Sequence, residues 1–210
     1  MRKSFDMISK NHPPNTAKYA PHMSGASLIM VLIVLTVVSL LGVAGMQISL
    51  MSERGTRNDR DRQIAWQSAE AALIDAEFDI FGPGNPNPNR RKIFSDQTND
   101  DAYFLDGCGT SGDYIGLCKL VNVGKPAWLT VDFTNVSTSA PTTKFGQYTG
   151  RAFQSGTAGI QPALPPRYVI EPIEDPEAAV NGKGYIYRVT AMGFGPKKEI
   201  QAVIQMIFRK

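Results

Sequence analysis

Between Ser24 and Ser52 the chain carries no charged residue, and from Ala26 to Met46 it is an almost unbroken run of Leu, Ile, Val, Met and Ala. Wound as an α-helix, that run is roughly 30 Å long, the thickness of a bilayer's hydrocarbon layer. An ordinary secretory signal has a shorter apolar region, about 7–15 residues, with small residues at a cut site behind it. Here the run is longer and passes straight into a helical pattern, so the expectation is a retained span. Arg2, Lys3, Lys10 and Lys18 precede it, whereas Glu53 to Arg62 mixes three acids with four arginines. That asymmetry favours a cytoplasmic N-terminus and export of everything after Met51. Gly42 and Gly45 suit either close helix packing or local melting, or are simply tolerated in a membrane helix.

Beyond the run, Ala65, Ala69, Ala72, Leu73, Ala76 and Ile80 recur at helical spacing in "SERGTRNDRDRQIAWQSAEAALIDAEFDIF". Such a stripe of small residues lets a sheet or another helix approach closely. Arg62, Glu70, Asp75, Glu77 and Asp79 are placed on its polar back, and Trp66 is expected to anchor the stripe against the domain. "DRDR", Asp59 to Arg62, reads as solvated helix. No proline stands between Pro21 and Pro83, so one helix is expected to reach about Ile80, with any break near Gly55. "FGPGNPNPNR" then stops it.

The remainder is punctuated by turns. "RYVIEPIE" (167–174), "GYIYRVTAMGFG" (184–195) and "IQAVIQMIF" (200–208) carry β-branched and aromatic residues, and the middle one alternates with the period of a sheet. "GFGPKK" predicts a hairpin between the last two. The fold class is therefore α+β: a long N-terminal helix on an antiparallel sheet. Residues 92–166, with "PAWLTVDF" among them, read as an insert of short strands and loops.

Cys108 and Cys118 bracket the turn-rich "CGTSGDYIGLC". In an exported domain a disulfide is expected, because oxidising compartments preserve such bonds. A bond closing so short a loop contributes about 3 kcal/mol in the chain-entropy view. Two unrelated thiols are the alternative.

Catalytic constellations are scarce. The only histidines, His12 and His22, precede the span, which leaves the rest without His-dependent acid–base, triad or zinc chemistry. "NGKG" (181–184) lacks the remainder of a phosphate loop and reads as a turn. "SDQTNDDAYFLD" gathers Asp96, Asp100, Asp101 and Asp106 but lacks the glycine and final glutamate of an EF-hand, so it reads as a solvated acidic loop rather than a calcium site. A net charge of +3 spread along the chain is not the basic face of a nucleic-acid binder. Neither a cofactor nor a metal is expected.

Taken together, "GASLIMVLIVLTVVSLLGVAGMQISLMSERGTRNDRDRQIAWQSAEAAL", "PRYVIE" and "YRVTAMGFG" resemble a type IV pilin-like protein, specifically the PilX family of minor pilins. The resemblance spans most of the chain after Gly25. It implies a class III leader, residues 1–25, cut between Gly25 and Ala26 by a prepilin peptidase, with the amine of Ala26 then methylated. Residues 26–51 become the transmembrane and later fibre-core helix, 52–82 its amphipathic continuation, and 83–210 the exported pilin-like domain. Pilin leaders usually place Lys or Arg just before the glycine; this chain has Met23 and Ser24.

Major pilins have a glutamate five residues after the cut, and this chain has Met30. A carboxylate in the apolar span costs about 3 kcal/mol and is kept only with a partner, understood in pilins to be the amine of an earlier-added neighbour. Met30 needs no such neighbour. By analogy with the K-type pseudopilin of type II secretion, which also lacks the glutamate, this implies a place at or near the pilus tip. The implied partners are other minor pilins, the major pilin, the prepilin peptidase, the inner-membrane assembly platform and a large tip adhesin. The implied roles are priming of assembly, piliation, twitching motility and adhesion. The implied location is the inner membrane, in a single pass, and then the surface fibre. The competing reading is a single-span inner-membrane protein with an exported receptor or binding domain; an exported enzyme is the least favoured.

Overall fold

The computed structural model describes residues 26–82, 86–95, 102–156, 160–174 and 185–209. Helix α1, Ala26–Phe81, runs 56 residues without interruption at Gly55, and Gly82 with its positive φ ends it. The chain divides into two compact units, Met1–Ser52 and Glu53–Lys210.

Within the second unit, four strands form an antiparallel sheet in chain order: β1 (Thr143–Lys144), β2 (Arg167–Glu174), β3 (Tyr185–Phe194) and β4 (Gln201–Arg209). The β3–β4 hairpin expected from "GFGPKK" is present, closed by the Gly195 amide on the Ile200 carbonyl at 2.8 Å. The turn at "NGKG" and the acidic residues Asp96, Asp100 and Asp101 lie outside the described residues.

The sheet is covered on both faces. On one, Ala72, Leu73, Ala76 and Ile80 of α1 pack with Tyr168, Ile170, Tyr187, Val189 and Ala191. On the other, the Cys108–Cys118 disulfide, Ala127 and Phe133 cover Val169 and Met192. Residues 92–166 are built differently from the expected short strands. Helix α2 (Pro88–Ser95) enters the segment; within it the described residues form a 3-10 turn (Gly112–Tyr114), helix α3 (Ala127–Thr130) and the two-residue β1. "PAWLTVDF" forms α3 and the loop after it. Its Ala127 and Trp128 instead pack against the sheet face at Val169 and Met192.

That loop caps the edge directly. The Cys118 amide donates to the Ile170 carbonyl at 2.9 Å, and the Ile170 amide to the Gly116 carbonyl at 2.8 Å. Gly116 has φ +74, and a Cβ there would lie 2.2 Å from Thr143 Oγ1, so only glycine fits between loop and strand. Two residues beyond Ile170, Pro172 faces the same outer edge, and its missing N–H costs β3 nothing.

Candidate functional site

Every residue from Ala26 to Ser52 is exposed, with a mean hydropathy of 2.8 over its best 18-residue window. Length and composition suffice to cross a bilayer. Met30, 71 % exposed, stands on this apolar surface. A Cβ at Gly42 or Gly45 would meet nothing within 4 Å, so neither glycine serves packing inside the chain. Ala26 is the first described residue; Gly25 lies outside that range. The Asp59–Arg62 stretch is largely solvated, with Arg60 reaching Asp61 at 3.3 Å.

Further along α1, Ala65, Ala69, Ala72, Leu73, Ala76 and Ile80 are all buried, as the helical spacing predicts. The approach is closest at Gly193 of β3, where a Cβ would sit 2.2 Å from both the Ala65 carbonyl oxygen and the Ala69 amide nitrogen. Small residues on the helix and a glycine on the strand together bring two backbones into contact.

Two expectations are corrected. Trp66 is 51 % exposed, its Nε1 donating to Glu70 Oε1 at 2.8 Å instead of anchoring the stripe. Asp75 and Asp79, assigned to the polar back with Arg62, Glu70 and Glu77, are fully buried, while the other three are exposed. The reason is geometric: Asp75 and Asp79 each follow a stripe residue, Ala72 and Ala76, by three positions, which puts them on the same face.

Each buried carboxylate is matched. Asp79 accepts from Arg90 Nη2 at 2.8 Å, from Nε at 3.1 Å and from the Tyr168 hydroxyl at 3.1 Å. Arg90 is placed by α2: Asn87 caps the helix through the amides of Asn89 and Arg90, and Pro88 takes its first turn. Completely buried, its guanidinium lies 4.1 Å over the Tyr148 ring and donates to the carbonyls of Asp113 and Ile115. Burial, with the Asp79 charge adding to it, pushes the Tyr168 hydroxyl well above its ordinary pKa. Burial also moves Tyr148 up to about 12. Asp75 accepts from Thr149 and from the Gly146 amide, with Arg151 at 3.7 Å; burial outweighs these contacts and raises its pKa.

These groups join α1, α2, β2 and the 112–151 loops, and they are closed in by aromatic rings. Their chemistry is that of a fastening, since the Asp79–Arg90 pair is sealed from solvent on both sides. The sequence signal for them was the i, i+4 pair of acids on the apolar stripe; nothing local in the sequence pointed to Arg90. Among the described residues, no group of three or more His, Cys, Asp or Glu side chains is arranged to hold a metal.

A helix that is apolar and exposed along its first half, and fastened to an antiparallel sheet along its second, defines a type IV pilin-like subunit. The PilX N-terminal family model matches residues 24–73, and that of the type IV pilus assembly protein PilX C-terminal region matches residues 53–210. The chain belongs to the PilX family of type IV minor pilins, and its part is in type IV pilus assembly. No curated protein and no solved structure matches it. The family is structural rather than catalytic, works with other pilus components, and with the apolar helix goes with membrane anchoring and pilus association.

Proposed function

We propose that this minor pilin primes pilus assembly from a position at or near the tip. It begins as an inner-membrane precursor with a cytoplasmic leader, residues 1–25, and an exported domain, residues 83–210. Prepilin peptidase cuts between Gly25 and Ala26, the amine of Ala26 is methylated, and residues 26–51 pass from lipid into the fibre core. Residues 52–82 carry the helix into the exported domain. The assembly platform, other minor pilins and the major pilin are the partners, a large tip adhesin a further one, and piliation, twitching motility and adhesion depend on the protein.

The observation that carries this reading is Met30 in an uncharged, exposed helix surface. Lipid or neighbouring helices satisfy such a surface equally well, so burial persists through assembly. A subunit with Met30 brings no carboxylate that needs a neighbour's amine, as suits the one that starts a fibre. An oxidised cysteine pair fits a domain folded outside the cytoplasm.

Mass spectrometry of the mature chain is the deciding measurement, with a methylated N-terminus at Ala26 expected. A clean deletion should lower surface piliation and twitching, and normal piliation would sink the assembly role. In Met30→Glu, a shift from the tip toward internal incorporation is expected. Unchanged tip location would mean that the globular domain sets position. One observation favours the alternative, a single-span inner-membrane protein with an exported receptor or binding domain: Met23 and Ser24 stand where pilin leaders carry Lys or Arg. An intact leader in the mature protein supports that alternative.

A further inference from the structure

Lys144 of β1 and Arg167 of β2 are direct cross-strand partners, so their side chains leave the sheet on the same face, where like charges repel. Arg167 is only 6 % exposed. Its Nε and Nη2 donate to the hydroxyl and carbonyl of Thr142 at 2.6 and 2.7 Å, both neutral acceptors. Among the described residues, neither cation has a carboxylate within ion-pair distance. Buried guanidinium groups are ordinarily paired with an anion, and burial without one lowers the pKa of Arg167.

Both side chains line a cleft of about 500 Å³ together with Arg151, Ser137, Thr138 and Gln147. Asp75 offsets the charge of Arg151 from behind, which leaves Lys144 and Arg167 as the uncompensated pair. Among the described residues, no Asp or Glu lines the cleft. The Gln147 side-chain oxygen is already used by the Lys144 amide, so its NH2 group remains as a donor. Spare donors, two unbalanced positive charges and polar hydroxyls therefore meet in a volume within the usual range of small-molecule sites, about 300–1,000 Å³.

We propose that this cleft binds a small oxyanion, a carboxylate or phosphate monoester of about monosaccharide size. Lys144 and Arg167 hold the charge, while Ser137, Thr138 and Gln147 hydrogen-bond its polar substituents. The proposal does not rest on the subunit's place in the pilus.

Calorimetric titration of the full chain in neutral maltoside micelles, at constant ionic strength, tests it with inorganic phosphate, glucuronate and uncharged glucose as probes. Saturable binding of at least one anion is expected, with none of glucose. Phosphate alone assigns a phosphate ester, glucuronate alone a carboxylate, and both a general oxyanion site. Because Lys144 is exposed, Lys144→Gln keeps the fold, verified by an unchanged unfolding midpoint, and weakens anion affinity about tenfold or more, the loss expected for one charged hydrogen bond. Absence of saturable anion binding, glucose binding of equal strength, or undiminished affinity in Lys144→Gln overturns the proposal.

Discussion

Asp79 and Arg90 set the largest single-residue sensitivities of this domain. Two buried charges attract strongly but lose their hydration, so the pair adds little net stability, whereas removing one partner strands the other. Asp79→Ala should therefore destabilise the chain by about 3–5 kcal/mol. The double variant Asp79→Leu/Arg90→Met should recover most of that loss. Urea unfolding of the single and double variants measures the coupling; equal destabilisation in both would mean the charges are not what matters. Gly193 is critical for another reason, because a methyl group there meets helix backbone at 2.2 Å. Backbone cannot rotate away as a side-chain tip does. Gly193→Ala should cost about 1–3 kcal/mol or more, read in the same unfolding assay.

At the level of elements, the disulfide loop acts as an edge strand without being one. Its hydrogen bonds to Ile170 protect the outer side of β2, the side on which an open sheet invites pairing with another chain. Reduction of Cys108–Cys118 should lower stability by about 3 kcal/mol. It should also speed hydrogen exchange at the amides of Cys118 and Ile170 selectively, while those of the β3–β4 hairpin stay protected. Uniform acceleration across the sheet would show that the loop supports the whole fold and not this edge. Helix α1 divides its labour along its length: the first half displays apolar surface outward, and the second turns alanines inward against the strands. Trp66 lies half exposed on that second half, its indole held by Glu70 rather than turned against the strands.

For the whole molecule, burial of Asp75 and of Glu171 gives stability a dependence on pH. Glu171 is buried and pairs with Arg188 at 2.9 Å, yet burial outweighs that pairing and raises its pKa; burial likewise dominates at Asp75. A carboxyl with a raised pKa holds its proton more tightly in the folded chain than in the unfolded one. Its presence therefore costs least below the unfolded value, and the cost grows as pH rises through the interval up to the folded value. Glu171→Gln does not titrate. Its stability relative to the parent should increase as pH rises above about 4, the ordinary range of a glutamate in the unfolded chain, measured by unfolding midpoints at each pH. A constant difference would mean that Glu171 ionises in the folded chain as it does in the unfolded one.

The uncharged run, the alanine stripe and the alternation in "YIYRVTA" were enough to establish the long helix, its packing face and the final hairpin, because each is a periodic signal of one element with one environment. The cysteine spacing with an exported domain was likewise enough to expect the disulfide. The fate of Asp75 and Asp79 was decided only by tertiary structure. A carboxylate on an apolar stripe is buried if a partner arrives from elsewhere, and Arg90, the Thr149 hydroxyl and the Gly146 amide come from segments 11 to 74 positions away. The same holds for α3, whose Ala127 packs against Val169 of a strand about forty positions away in the chain. It holds equally for the cleft at Lys144 and Arg167, where strand register places together two charges that no local pattern connects.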